Sequence, residues 1–207
     1  MKTKYKKDED KMIHNLLKDK KVILASASPR RKKIFELLSV KALQMPANIK
    51  EEQSYKNPRK LVLHHAKNKV RHIRSQVDND YLIIGADTIV YHKKDILEKP
   101  RDRYQAAEYL TLLSSSHHYV YSGIAIAYKN QIVSDYEKTK VFFNEICPED
   151  IAEYVNTQEP MDKAGAYGIQ GFGSQFIQKI SGCYFNVMGF PISKFYILLL
   201  NMLKADQ

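Results

Sequence analysis

Short apolar runs alternate along the chain with longer stretches in which apolar residues recur at helical spacing. Residues 21–25 form one such run and predict a short buried strand. Ser28 follows as a helix N-cap with Pro29 in the first helical turn. The predicted apolar face of this helix carries Ile34, Leu37 and Leu38. A strand, a tight turn and a helix are therefore expected in this order.

The rest of the chain continues this alternation and adds one pair of adjacent strands. Lys129 and Asn130 predict the turn of an antiparallel hairpin, and Pro191 opens a last helix with Ile197, Leu198 and Leu200 on its core side. Strands that alternate with helices, together with an antiparallel pair, predict an α/β or α+β domain around a mixed sheet. The remaining predicted elements are helices over 58–77, 102–114 and 148–156 and strands over 81–91, 119–128, 132–143 and 176–180.

Length and charge define the domain organisation and the class of ligand. A chain of 207 residues suits one domain, or one domain with two lobes, and we place a Lys-rich extension at 1–20 and a single domain at 21–207. The net charge of +10 favours polyanions, either nucleic acid or small phosphorylated molecules. Residues 1–21 hold eight Lys against four acids, so about four charges belong to a polar tail.

Cysteine usage and hydropathy bear on the compartment. Cys147 and Cys183 have no metal-ligand spacing. Two free thiols suit the reducing cytosol, and a single disulfide between them is the alternative. The chain has no apolar run of the roughly 18 residues that a membrane helix needs. We therefore expect a cytoplasmic protein with no membrane partner.

Two polar stretches interrupt the apolar pattern where a ligand could bind. Residues 26–33 place two serines and four basic residues at a helix N-terminus, which favours phosphate but also suits a capped helix with a solvated basic side. Asp87 stands within the apolar strand, where a carboxylate is costly unless it binds a metal or a cation. A turn just beyond the strand is the alternative, and residues 88–90 weigh against it because they continue the β pattern.

Further candidates gain weight only in combination. Glu51 and Glu52 could supply a second carboxylate to a magnesium site, although paired acids in a loop are usually solvated. Gln170, in the Gly-rich segment 162–171, has donors and an acceptor that suit a base edge, although this segment could simply connect a helix to a strand. Lys69 and Lys99 could neutralise phosphate. The adjacent pairs 64–65 and 117–118 are poor metal sites because neighbouring side chains point apart.

These pieces, in this order, resemble the Maf family of nucleoside triphosphate pyrophosphatases. The matching strings are SASPRR at 26–31, GADTIV at 85–90, EPMDKAGAYGIQG at 159–171 and GCYFNVMGFP at 182–191. The resemblance implies an inosine-triphosphate-pyrophosphatase-like fold, with a mixed twisted sheet flanked by helices and a cleft between two lobes. It also implies hydrolysis of dTTP or UTP to the monophosphate and pyrophosphate, a divalent metal (Mg²⁺ or Mn²⁺) and a homodimer.

The resemblance also assigns roles to residues. Asp87 would be the catalytic residue and, with Glu52, a metal ligand. The residues implied in substrate binding and selection are Ser28, Arg30, Arg31, Lys69, Thr88, Lys99 and Gln170. Glu98 departs from the family pattern, in which glycine usually precedes the Lys-Pro pair, and it puts a negative charge beside Lys99.

Three other functions stay open at this point. The chain could belong to the branch that acts on 7-methyl-GTP, or it could be a non-catalytic nucleotide-binding regulator linked to cell division. A nucleic-acid binder is the third, and we expect no stable nucleic-acid partner because the sequence has no recognised nucleic-acid-binding motif.

Overall fold

A computed structural model describes residues 12–50 and 54–204 of the chain. The helices are α1 (Ile13–Leu17), α2 (Pro29–Leu37), α3 (Pro58–Arg74), α4 (Arg103–Leu113), α5 (Pro148–Asn156), α6 (Tyr184–Met188) and α7 (Ile192–Lys204). The strands are β1 (Lys21–Leu24), β2 (Leu43–Gln44), β3 (Tyr81–His92), β4 (Asp95–Leu97), β5 (His117–Tyr128), β6 (Gln131–Phe143) and β7 (Ile177–Ser181). Three short 3-10 helices lie between α5 and β7.

The strands form one mixed sheet, as the sequence predicts. Its order is β2-β1-β3-β5-β6-β7, and β4 pairs with β3 beside this path. The pairs β1/β2 and β1/β3 are parallel, whereas the later pairs are antiparallel. The hairpin between β5 and β6 turns at Lys129 and Asn130, and Lys129 has a φ of 50°. The expected fold class, a mixed sheet flanked by helices, is confirmed.

Two of the four buried apolar clusters among the described residues pack against different parts of one face of the sheet. The first core joins α1, α2 and α7 to β1 and the N-terminal half of β3, through residues such as Ile84 and Phe195. The second core joins α4 and α5 to the C-terminal half of β3, through Val90 and Leu110. Ala86 belongs to the first core and Val90 to the second, so the boundary between them crosses β3 near residue 88. The two cores define two lobes.

Two glycines let α3 lie unusually close to the opposite face of the sheet. A Cβ on Gly85 of β3 would stand 2.8 Å from the carbonyl oxygen of Ala66, and one on Gly123 of β5 would collide with the backbone of Val62. A side chain at either position would push the helix away, because packed interiors leave no room for extra atoms. This close approach brings one side of α3 against the middle of β3.

The structure corrects two predicted helix faces and adds a helix before β1. On α7 the buried residues are Phe195, Leu199 and Met202. Of the predicted core side, Leu198 packs partly buried against the first core, whereas Ile197 is 51% exposed, so the prediction is only partly right. On α2 Leu37 is exposed and Phe35 is buried in its place. Both faces are set by the neighbours across the first core. Within the predicted extension, α1 buries Ile13 and Leu17 in that core.

Among the described residues, no helix combines the length and the hydropathy that crossing a membrane requires.

Candidate active site

A cleft of about 640 Å³ opens where β3 changes partners along one edge. β1 pairs with β3 as far as Ile84, and β4 pairs with it only from Val90 onwards. Among the described strands, none pairs with residues 85–89 along this edge, so side chains from both faces of β3 reach the opening. Ligand sites in sheets with parallel strands commonly lie at such a switch point, beyond the carboxyl end of a strand.

The structure brings eight of the nine predicted site residues to this one cleft. Glu52 is the ninth, and it lies outside the described residues, as does Glu51. The eight cleft residues are Ser28, Arg30, Arg31, Lys69, Asp87, Thr88, Lys99 and Gln170. Residues separated by as many as 142 positions are therefore neighbours across a volume that falls within the range of about 300–1,000 Å³ typical of ligand sites.

Asp87 lies at the floor of the cleft and is held by two side chains of α3. Lys69 Nζ donates to Asp87 Oδ1 at 2.7 Å and to the Ala86 carbonyl oxygen at 3.2 Å. His65 Nδ1 donates to Asp87 Oδ2 at 2.9 Å. All three residues are at least nine-tenths buried. The cation that a buried aspartate needs is thus supplied by the helix that Gly85 and Gly123 allow to approach.

Burial and neighbouring charges act on Asp87 in opposite directions. Removal from water by itself raises the pKa of the carboxyl group, but the ammonium of Lys69 and the hydrogen bond from His65 lower it further than burial raises it. The net pKa lies well below the ordinary value for aspartate. Asp87 is therefore a carboxylate throughout the neutral range, as a metal ligand or a group that orients water must be.

Arg31 forms the wall beside Asp87 and is buried rather than open to the cleft. Its guanidinium donates through Nε to the Gly189 carbonyl oxygen at 2.9 Å, through Nη1 to Ser26 Oγ at 3.0 Å and through Nη2 to Thr88 Oγ1 at 3.2 Å. Thr88 Oγ1 also lies 2.8 Å from Ser122 Oγ. One arginine thus ties α2, β3 and the end of α6 together, and it fixes the orientation of Thr88.

Arg30, the next residue along α2, spans the mouth of the cleft. Its Nη1 donates to Asp162 Oδ2 at 2.7 Å, and its Nη2 donates to the carbonyl oxygen of the same residue at 3.2 Å. Lys163 Nζ donates to Asp162 Oδ1 at 2.6 Å. Partial burial raises the pKa of Asp162, but Lys163 and Arg30 together lower it below its ordinary value. This ion pair connects the two lobes and holds two cations at the opening.

Glu159 fixes the Gly-rich segment that forms the far wall. Its carboxylate accepts hydrogen bonds from Phe172 N at 2.9 Å, Gly173 N at 3.2 Å and Tyr154 Oη at 3.0 Å. Gly171 has a φ of 78°, and a Cβ at this position would stand 2.6 Å from Glu159 Oε2. The segment therefore needs glycine at 171 to wrap around the carboxylate.

The other cleft residues differ in how firmly they are held. Ser28 caps α2, because its Oγ accepts a hydrogen bond from Arg31 N at 3.4 Å, and its exposed helix terminus faces the cleft. Lys99 and Gln170 are exposed at the rim, as is Glu98. The Glu98 carbonyl oxygen accepts a hydrogen bond from Gly165 N at 3.1 Å, which attaches the segment before α4 to the Gly-rich wall.

The carboxylate oxygens of Asp87 can supply one of the oxygen ligands that a divalent cation needs. Each carboxylate oxygen accepts one hydrogen bond from α3 and has further acceptor capacity. Magnesium commonly binds through one or two carboxylates, with substrate phosphate oxygens and water as the remaining ligands. Within residues 12–50 and 54–204 no group of three or more His, Cys, Asp or Glu is placed to hold a metal. Asp87 therefore fits a shared metal site better than a closed protein cage.

His65, Asp162 and Glu159 are site residues that sequence reasoning missed or left without a role. His65 precedes Lys69 by one helical turn, so both side chains lie on the same side of α3. That spacing is a signal that could have found His65 once Lys69 was a candidate. Nothing local to Asp162 indicates its contact with Arg30, because that residue lies on α2, 132 positions earlier in the chain.

Comparisons with known proteins find similarity over most of the chain. Residues 21–202 match the family described as Maf-like protein. The chain is 44% identical over 176 residues to proteins named dTTP/UTP pyrophosphatase from Bacillus cereus (strain AH187) and Bacillus thuringiensis subsp. konkukian, a match that covers 84% of this chain and 92% of each relative. The Staphylococcus aureus Ham1 protein shares the fold, with a TM-score of 0.51 at 10% identity over 91% of this chain and 100% of that one.

Proposed function

The chain belongs to the Maf family, and we propose on this premise that it hydrolyses dTTP and UTP to the nucleoside monophosphate and pyrophosphate. The observation that carries the proposal is the buried carboxylate of Asp87 at the floor of a cleft whose walls and mouth are lined with cations. A triphosphate needs such cations, and cleavage next to its α-phosphorus needs a carboxylate to orient water.

The residues of the cleft contact different parts of the bound nucleotide in this proposal. The N-terminus of α2 at Ser28 directs its partial positive charge towards a phosphate in the cleft, and Arg30 and Lys99 lie at the mouth where the outer phosphates would enter. Lys69 is bound to Asp87, so in this proposal it acts first by keeping that carboxylate ionised and oriented. Arg31 holds Thr88 in place beside the bound nucleotide. Gln170 reads the base from the rim.

The reaction is an in-line displacement without a covalent intermediate. The oxygen of a water molecule attacks the α-phosphorus, the bond from that phosphorus to the bridging oxygen breaks, and pyrophosphate leaves with the bonding electrons. Asp87 orients the water and accepts its proton, and Arg30 and Lys99 stabilise the charge on the leaving group. Asp87 and, by the family resemblance, Glu52 would hold a divalent cation, which would add to the stabilisation of the charge on the phosphate oxygens. The oxygen ligands suit Mg²⁺ or Mn²⁺.

We also propose that the enzyme is cytoplasmic and acts as a homodimer. Cys147 and Cys183 are both free thiols, which suits a reducing compartment. The dimer is proposed from the family resemblance, and light scattering behind a sizing column gives the mass that tests it.

Pyrophosphate release from a panel of nucleotides tests the proposed reaction. The substrates are UTP, dTTP, CTP, GTP, ATP and 7-methyl-GTP, each with Mg²⁺, with Mn²⁺ and with a chelator. We expect metal-dependent turnover of dTTP and UTP well above that of the others. A preference for 7-methyl-GTP would agree with the proposed reaction but would contradict the role of Gln170 in selecting a pyrimidine. Nucleotide binding without turnover would instead favour the regulator.

A further inference from the structure

The outer part of the sheet carries a dense aromatic and basic surface that the cleft does not use. Residues directly opposite each other on paired strands lie on the same face of a sheet. The register places Tyr91 opposite Tyr119, Tyr119 opposite Lys140, and Tyr121 opposite Lys138. We define the aromatic–basic face as Arg59, Tyr91, His117, Tyr119, Tyr121, Tyr136, Lys138, Lys140, Phe142 and Lys179.

The rings of this face contact one another and carry cations above them. Tyr121 and Tyr136 are stacked, with ring centroids 6.4 Å apart and an interplanar angle of 16°. Lys138 Nζ lies 3.9 Å from the centre of the Tyr119 ring, and Lys179 Nζ lies 4.6 Å from the centre of the Phe142 ring. An ammonium group over an aromatic face is attracted by the negative potential of the ring.

The charge of this face has a single sign. Its ten members include four Lys and Arg side chains and no Asp or Glu. The acids of β6, Asp135 and Glu137, pair with Ile124 and Ser122 and so belong to the opposite face of the sheet. Lys138, Lys179 and His117 are exposed, and Tyr119, Tyr136 and Phe142 are half-buried with part of each ring accessible. An anionic partner with flat rings matches this surface in both charge and shape.

A pocket of about 270 Å³ adjoins the same surface at the turn between β3 and β4. Tyr91, His117 and Tyr119 form part of its wall, and the exposed Lys93 and Lys94 stand at its rim. Its volume is below the range of about 300–1,000 Å³ typical of sites for whole ligands, so it suits one ring rather than a complete nucleotide. Aromatic walls with lysines at the rim are suited to a base whose phosphates remain outside.

We propose that the aromatic–basic face binds single-stranded nucleic acid. Successive bases stack on Tyr119 and Phe142, while Lys138, Lys140 and Lys179 move from the rings to the phosphates. Base stacking on aromatic side chains is tolerant of sequence, and lysines along a backbone give strong salt dependence. Four adjacent strands span about 14 Å at roughly 4.8 Å per spacing, and a sheet of four strands can stack two or three bases.

Other occupants fit this surface less well. A duplex keeps its bases stacked on each other, so it could use the lysines but not the rings. A second copy of the chain on a twofold axis would bring this face against itself, with lysine opposite lysine. The expectation of no stable nucleic-acid partner rests on the lack of a local motif, whereas this face is assembled from five elements by strand register and helix packing.

Fluorescence anisotropy of a labelled single strand of about 12 nucleotides tests the proposal on the full chain. The main variant is Lys138→Gln/Lys140→Gln/Lys179→Gln. We expect it to weaken binding at least tenfold at low salt and to reduce the slope of log K against log salt by about 2, since each lost phosphate contact removes about 0.7. Tyr119→Ala is expected to weaken binding at least about fivefold and to leave the slope unchanged.

A matched control removes the same charge elsewhere. Lys2→Gln/Lys4→Gln/Lys6→Gln lies in the Lys-rich extension and is expected to change binding less than twofold. Pyrophosphate release by all three variants should equal that of the wild type, which checks folding and separates this proposal from the proposed function. The proposal would be overturned by equal affinity for single-stranded and duplex nucleic acid, by equal competition from polyglutamate and from an unlabelled single strand, or by loss of binding only in the control variant. A change in the oligomeric mass of the Lys138/Lys140/Lys179 variant would also overturn it.

Discussion

Replacing Asp87 by asparagine should reduce turnover and stability through two separable effects. The change keeps the shape of the side chain but removes the charge that accepts hydrogen bonds from Lys69 at 2.7 Å and from His65 at 2.9 Å. Loss of a positioned acid–base group typically lowers rate by about 10²–10⁴-fold. We therefore expect kcat to fall at least about a hundredfold, with a smaller change in KM.

The stability effect follows from the burial of Lys69. Its side chain is 9% exposed, and Asp87→Asn leaves its ammonium group without the carboxylate that compensates for its burial. Removing one partner of a buried ion pair typically costs about 3–5 kcal/mol. In a domain of this size that corresponds to a fall in Tm of about 6–20 °C. The variant should still fold at 25 °C, because domains are typically stable by about 5–15 kcal/mol.

The double variant Lys69→Met/Asp87→Asn separates the two effects. Replacing both partners removes the buried ammonium together with the carboxylate that compensates for it, so the free energy of unfolding should return to within about 1 kcal/mol of the wild-type value. Turnover should stay at the level of the single variant. The assays are urea unfolding followed by circular dichroism, and pyrophosphate release under saturating substrate. Wild-type kcat in folded Asp87→Asn, or a double variant no more stable than the single one, would refute this reasoning.

Three further predictions follow from the same contacts. Below about pH 4 the wild type should lose the stability that Asp87 contributes. The lowered pKa of Asp87 makes that contribution complete above the ordinary carboxyl pKa, and it is lost as the pH falls below it. In urea unfolding, the free energy of unfolding of Lys69→Met/Asp87→Asn should depend less on pH in this acid range. Arg31→Lys should cost about 2–3 kcal/mol in thermal unfolding, since lysine cannot reproduce the hydrogen bonds to Gly189, Ser26 and Thr88; an unchanged Tm would contradict this. Gln170→Ala should narrow the preference for UTP and dTTP over CTP without changing Tm, and unchanged selectivity would remove Gln170 from base reading.

Local patterns in the sequence determined most of the elements. Helix starts at Pro29, Pro58 and Pro148 agree with the structure, as does the hairpin turn after Tyr128. These features depend on neighbours a few residues apart, through caps, fixed proline φ angles and alternation. The short strands β2 and β4 and the helices α1 and α6 were not predicted, because a strand of two or three residues or a helix of little more than one turn carries too little periodic signal.

Burial faces were less predictable than element boundaries. Three consecutive leucines at 198–200 and Ile197 make α7 apolar on most of its circumference, so the sequence does not choose one side. The structure selects Phe195, Leu199 and Met202 because these positions meet the first core. The choice depends on the angle at which the helix crosses the sheet.

The pattern of apolar residues around Asp87 is enough to indicate a charged group within a buried strand, and such a group needs a cation or a metal. The folded chain is needed to show that Lys69 and His65 hold this carboxylate, that Arg31 is buried, and that Arg30 bonds to Asp162 across the mouth. These partners lie far from one another along the chain. A cost of burial can be calculated from one residue and its neighbours, whereas the partner that offsets it is fixed by strand register and by how closely a helix can approach.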